Sequence, residues 1–141
     1  MDLVVDASIV VKWFLEEEGS DQAAVLRDDF AAEEVKLHVP EILPFEVLSA
    51  LRGSSAYPEE RALQAQLALE QAGFQIHRFG GEFARRTLHL IYDKRLTVYD
   101  AAYLALARHL TTQLVTADAA LLHSGGRDAI SLGDYSSPAS A

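Results

Sequence analysis

Short apolar runs alternate along this chain with longer stretches in which apolar residues return every third or fourth position. Leu3-Val4-Val5 is the first run, too β-branched to open a helix and unbroken by polar residues, which is how a parallel strand covered on both faces reads. Leu37-His38-Val39, Gln75 to Phe79, Gln113 to Thr116 and Ala129 to Leu132 are read as further strands. Between them the spacing predicts a short helix over Ile9–Leu15 that closes by Gly19, then a helix capped by Ser20 or Asp21 and running to about Glu34. Its apolar positions include Ala24, Val25, Ala31 and Ala32, with Asp28, Asp29, Glu33 and Glu34 on the wet side. Pro40–Gly53 has proline near its start and glycine at its end, the asymmetry of a helix. Tyr57-Pro58 opens another that stops at Gly73, and the two form a helical hairpin. Glu82–Tyr92 follows with Phe83, Leu88 and Ile91 inward, then Thr97–Ala107, then a short helix from Asp118 to Gly125-Gly126.

Strands alternating with helices predict a parallel α/β sandwich of about five strands with right-handed crossovers. The reading is one domain over residues 1–135, with 136–141 as a disordered tail. Composition narrows the chemistry. In 141 residues, 50% of them hydrophobic, there is material for a real core. There are no cysteines, so thiol nucleophiles, zinc ribbons and iron–sulfur ligation are excluded, and any metal is held by oxygen or imidazole. No basic segment followed by an apolar one opens the chain and no run approaches a membrane span, so a soluble cytoplasmic protein is expected. A formal net charge of −9 is the wrong sign for blanket attraction to nucleic acid, and suits a basic protein partner or a metal-mediated substrate.

Four acids lie at strand ends or on otherwise apolar helical faces: Asp6, Glu46, Asp100 and Asp118. Asp6 follows the first strand as Asp118 follows the fourth, and either could be a helix N-cap. Asp100 could close a capping box begun by Thr97. Glu46 sits among Ile42, Leu43, Phe45, Val47 and Leu48, so it either reaches solvent or meets a cation. If the first and fourth strands are neighbours, all four acids face one mouth at the carboxyl edge of the sheet, where such folds bind ligands. Two unit charges ~7 Å apart repel by roughly 2 kcal/mol at an effective dielectric of about 20, so taking all six pairs puts the total on the order of 10 kcal/mol. A divalent cation or partial protonation must relieve it, and all-oxygen ligation suits Mg²⁺ or Mn²⁺.

Val4-Val5-Asp6-Ala7-Ser8 with Lys12-Trp13-Phe14, Pro44-Phe45-Glu46-Val47, Thr97 to Ala105, and Leu114-Val115-Thr116-Ala117-Asp118 form an ordered set spread over nearly the whole chain. In that set the sequence resembles the PIN-domain ribonucleases, and within them the VapC-type toxins of toxin–antitoxin pairs. The resemblance implies a Rossmann-like three-layer fold with strand order 3-2-1-4-5 and an acidic pocket binding one or two Mg²⁺ or Mn²⁺ ions. It further implies cleavage of RNA phosphodiesters, and assigns Asp6, Glu46, Asp100 and Asp118 as catalytic and metal-holding, with Ser8 and Thr116 as supporting hydroxyls. A homodimer is implied too, silenced by a small antitoxin that inserts a basic side chain into the pocket.

Lys12 and Arg52 are candidates for RNA contacts, as are Arg85, Arg86, Lys94 and Arg95, although solvated helix faces account for most such residues. Trp13 and Tyr99 could stack on a base or pack in the core. The histidines show no metal-ligand spacing. An aspartate-nucleophile phosphatase would want a second acid where Ser8 stands. The rival from another class is a non-catalytic module whose acidic surface binds a basic protein.

Overall fold

A computed structural model describes residues 1–54 and 56–140. The elements are β1 (Asp2–Val5), α1 (Ala7–Val10) running into a 3-10 turn, α2 (Ser20–Ala31), β2 (Lys36–Pro40), α3 (Leu43–Gly53), α4 (Glu59–Gln71) and β3 (Gln75–His77). They continue with α5 (Gly81–Lys94), α6 (Val98–His109), β4 (Leu114–Val115), α7 (Ala119–Gly125) and β5 (Ala129–Ile130). All strands are parallel in the order β3-β2-β1-β4-β5, with Val4 opposite His38 on one side and Leu114 on the other. Val4, Val5, Leu37, Val39, Leu114 and Val115 are fully buried, as the unbroken apolar runs require. The chain steps from β1 through β2 to β3 in one direction and returns to β4 and β5 in the other. Crossovers of one hand therefore place α1 to α4 on one face of the sheet and α5 to α7 on the opposite face. α3 and α4 pack as the expected hairpin, with Ser55 of their connection outside the described residues.

The helix that lies across the sheet centre is α6, in which Ala101 to Ala107 are all buried. Four alanines in that run let its backbone approach β1, β2 and β4 closely. α5 covers its other side through Phe83, Thr87 and Leu90, not through the predicted Leu88, which is 56% exposed. The stripe can pass through Thr87 because its hydroxyl donates to the Phe83 carbonyl at 2.8 Å, so no polar group is left unpaired.

α2 departs from expectation in three ways. Its inward positions are Ala23 and Leu26 with Phe30 behind them, whereas Val25 is exposed. Ser20 is the first helical residue and not the cap; Gly19 holds that place at φ +87°, and the Ser20 hydroxyl instead accepts from Glu17 N–H and donates to the Leu15 carbonyl. Asp29, expected on the wet side, is buried, where it accepts hydroxyl protons from Tyr135 and Ser137. Ser137 lies inside the segment read as a tail, in which Pro138–Ser140 forms a 3-10 turn; Ala141 is outside the described residues. Among the described residues no helix is long and apolar enough to cross a membrane.

The joint between α7 and β5 is tight at Gly125, where an added Cβ would come within 2.5 Å of Ala129 Cβ and 3.2 Å of Leu104 Cδ1. Gly125→Ala is expected to lower the unfolding free energy by about 1–3 kcal/mol in a urea melt. A variant as stable as the parent would mean that this joint opens at no cost.

Candidate active site

β1 and β4 are neighbours, so the residues that follow them, Asp6 and Thr116 to Asp118, lie together at the carboxyl edge. The Asp6 carbonyl accepts from Ile9 and Val10 N–H and starts α1, but its side chain makes no capping bond. Instead both carboxylate oxygens accept hydroxyl protons, Oδ1 from Ser8 at 2.5 Å and Oδ2 from Thr116 at 2.5 Å. Each hydroxyl in turn accepts a backbone N–H from the loop after β4, Ser8 from Ala117 at 2.9 Å and Thr116 from Asp118 at 3.0 Å. Two strand ends are thereby laced together through one buried carboxylate.

Asp118 does cap α7, its Oδ1 accepting Leu121 N–H at 3.0 Å, so the capping reading holds for it alongside any other role. Thr97 caps α6 by accepting Asp100 N–H at 3.1 Å, which places the Asp100 carboxyl on the first turn, half-buried. Glu46, on the first turn of α3, does not reach free solvent with both oxygens. Its Oε1 accepts the hydroxyl of Tyr103 at 2.6 Å. Tyr103 is a residue whose role the periodicity hid, since a tyrosine within an Ala/Leu-rich helix reads as core. Only the need of a buried phenol for an acceptor could have pointed to it.

Burial pushes the Asp6 carboxyl up to about 6 from an ordinary 3.8, against the lowering effect of its two hydroxyl donors and with a further push from Asp118. Glu46 is also raised, by burial first and by the charge of Asp100, with the Tyr103 bond opposing. Asp100 is raised by burial and then by Asp118. The Tyr103 hydroxyl is pushed far up by burial and by its bond to Glu46, with Asp6 and Asp100 adding to the effect, so it stays a neutral donor. The four acids therefore feel one another as a row, Asp6 to Asp118 to Asp100 to Glu46, with Tyr103 beneath. Among the described residues, no three Asp, Glu or His side chains are gathered around a point where an ion would sit.

The basic candidates divide. Lys12 is engaged, its Nζ on Glu17 Oε1 at 3.1 Å and on the Glu18 carbonyl at 2.7 Å, and it shares a cavity wall with Thr116 and Ala117. Arg52 is exposed on the last turn of α3, and among the described residues it has no ion pair. Trp13 is a core residue, stacked on Phe30 and Phe74 with its indole N–H on the Ala23 carbonyl. His38 and His77 form a pair across β2 and β3, with ring nitrogens 2.9 Å apart.

The family model for the PIN domain matches residues 3–125. The chain belongs to the PIN-domain family. Solved structures similar to this PIN domain include PAE2754 from Pyrobaculum aerophilum, at 22% identity and a TM-score of 0.68 over 94% of this chain and 85% of the other. A toxin–antitoxin complex from Klebsiella pneumoniae matches at 18% identity and 0.69, over 92% and 97%. VapC20 from Mycobacterium tuberculosis, described as a toxin that cleaves the sarcin-ricin loop, matches at 13% identity and 0.67, over 87% and 95%. No curated protein sequence matches this PIN domain.

The raised pKa of Asp6 has a defined sign in stability. Between about 3.8 and about 6 the folded state keeps a proton that the unfolded chain gives up, so stability present at low pH is lost as pH rises through about 6, by roughly 3 kcal/mol in total. In chelator-containing buffer the melting temperature of the parent is expected to fall from about pH 5 to about pH 7 more steeply than that of Asp6→Asn. Parallel curves would show that this carboxyl is not desolvated in the folded protein.

Proposed function

We propose that this PIN domain is a Mg²⁺- or Mn²⁺-dependent endoribonuclease acting as the toxin of a type II toxin–antitoxin pair. The observation that carries the reading is the row of carboxyls along one sheet edge, three of them raised by burial. Folding alone does not favour such a row, and positive charge placed against it would lower its energy. The donors fit a hard dication, since every available ligand is a carboxylate or hydroxyl oxygen and cysteine is absent. Asp6, Asp100, Asp118 and Glu46 would hold it, drawing inward from the positions described. When bound, the ion supplies an activated water and neutralises charge on the phosphodiester.

The chain's own part is to pre-set the ligands. Ser8 and Thr116 lock Asp6 in one rotamer, Tyr103 holds one oxygen of Glu46, and the Leu121 N–H holds one oxygen of Asp118. Arg52 is an exposed cation suited to a substrate phosphate, with Lys12 available only if it leaves Glu17. RNA as substrate draws support from the VapC20 likeness, and an antitoxin from the Klebsiella complex. A basic antitoxin side chain placed in the acid row would serve the same electrostatic need as the ion. A homodimer belongs to the same reading.

A second reading, a non-catalytic module that binds a basic protein, is favoured by the net charge of −9 and by the open spacing of the acids. The two separate in solution. The parent is expected to cleave RNA oligonucleotides with Mn²⁺ and to take up Mn²⁺ in a calorimetric titration, and Asp6→Asn or Asp100→Asn to lose cleavage by about a hundredfold or more while remaining folded. A parent that neither cleaves nor takes up the ion is the binding module. Tyr103→Phe, which leaves Glu46 without its donor, is expected to weaken Mn²⁺ uptake by about tenfold with the fold retained; unaltered uptake would reduce Tyr103 to a core residue.

A further inference from the structure

An apolar slot lies between the end of β2 and the first turn of α6. Pro40, Glu41, Ile42, Phe79 and Tyr99 are among the residues enclosing a cavity of about 200 Å³, room for one flat heterocycle. Two of its lining residues stand close to the acids along the chain. Tyr99 directly precedes Asp100, and the carbonyl of Ile42 accepts the Glu46 N–H at 3.2 Å. Tyr99 and Phe79 are each 53% exposed and present their rings to an incoming group. Phe79 is held in place edge-on by Phe83, with centroids 5.6 Å apart. Trp13, the other aromatic considered for stacking, is taken by the core, so the structure separates the two.

The slot's single charged group is Glu41, whose Oε2 accepts the Phe79 N–H at 3.3 Å. Among the described residues, its Oε1 has no hydrogen-bond partner. A carboxylate here repels phosphate and attracts N–H edges. Guanine offers two such donors side by side, and adenine and cytosine offer an exocyclic amine. Uracil sets carbonyls on both sides of its one N–H. Stacking between rings and hydrogen bonding along the pairing edge is how unpaired RNA bases are held.

We propose that this slot takes one unstacked, amino-bearing base of the RNA substrate, guanine before the others, beside the phosphodiester at the acid row. The assignment rests on the endoribonuclease reading, yet its test does not. Guanosine, adenosine, cytidine and uridine carry no phosphate to be cleaved or repelled, so titrating each into the protein under NMR reads the slot alone. Guanosine is expected to bind most tightly and uridine least, with shifts at Tyr99 and Phe79. Tyr99→Ala and Phe79→Ala should each weaken guanosine by about tenfold. Glu41→Gln should erase the preference over uridine.

Equal affinity for the four nucleosides, or binding untouched by these substitutions, overturns the proposal. Selective nucleoside binding without cleavage of any RNA would leave the slot standing and sink the nuclease reading. Cleavage by Tyr99→Ala at parental rate and with parental sequence preference would do the reverse. If Tyr99→Ala turns a dimer into a monomer in sedimentation, the slot is a subunit contact and the proposal also fails.

Discussion

An ionised carboxylate enclosed by apolar neighbours is among the costlier groups a fold can hold, and Asp6 is placed between fully buried Val5 and Ile9. What makes it tolerable is that two hydroxyls each give it their only proton while accepting backbone N–H groups from the loop after β4. The arrangement works only if β1 and β4 end side by side, since Thr116 is 110 residues away in sequence. Strand pairing and charge solvation are therefore one constraint. The same bonds that keep Asp6 ionised close to neutrality fix where the ends of the two central strands lie, and with them the position of Asp118.

The remaining acids are delivered by helices from opposite faces of the sheet. α3 carries Glu46 on one side and α6 carries Asp100 on the other, and Tyr103, one turn after Asp100, reaches over the edge to bind Glu46. α6 can do this because its alanines let it lie close against three strands without a bulky side chain to lift it. Packing of a helix on a sheet and positioning of a functional carboxyl are again the same event, and a larger residue at Ala101 or Ala105 would disturb both.

Strand positions and their parallel direction were legible because period and burial go together in a covered sheet, where Leu3 to Val5 have no polar alternative; the neighbouring of β1 and β4 was left conditional by the pattern and came with the family resemblance. The four acids stood out as candidates because each interrupts an apolar context. Less legible was whatever depended on one side chain answering another at long range. Asp29 looks like a surface acid of α2 until Tyr135 and Ser137 arrive from the far end of the chain. Leu88 has a better hydrophobic character than Thr87, yet the threonine wins the inward place because a backbone carbonyl one turn back satisfies its hydroxyl. Tyr103 belongs to the same class, as its partner Glu46 lies 57 residues earlier. Periodicity reads one element at a time and carries no information about such pairs.

The overall charge of −9 and an RNA substrate look opposed, and the distances over which charge acts reconcile them. At physiological salt the field of scattered surface acids is screened within roughly 8 Å, whereas partly buried carboxyls interact through a medium that screens them far less. The substrate would thus meet mainly the local field at the sheet edge, and a dication entering the row would weaken that negative field. Negative charge distributed elsewhere lowers the affinity for polyanions in general and leaves recognition to the site itself. A protein of this kind would bind RNA poorly without its ion, and would equally accept a cationic side chain presented by another protein. A basic side chain and a metal ion would then compete for one electrostatic well, lined by carboxyls whose pKa values are raised first by burial and further by neighbouring acids.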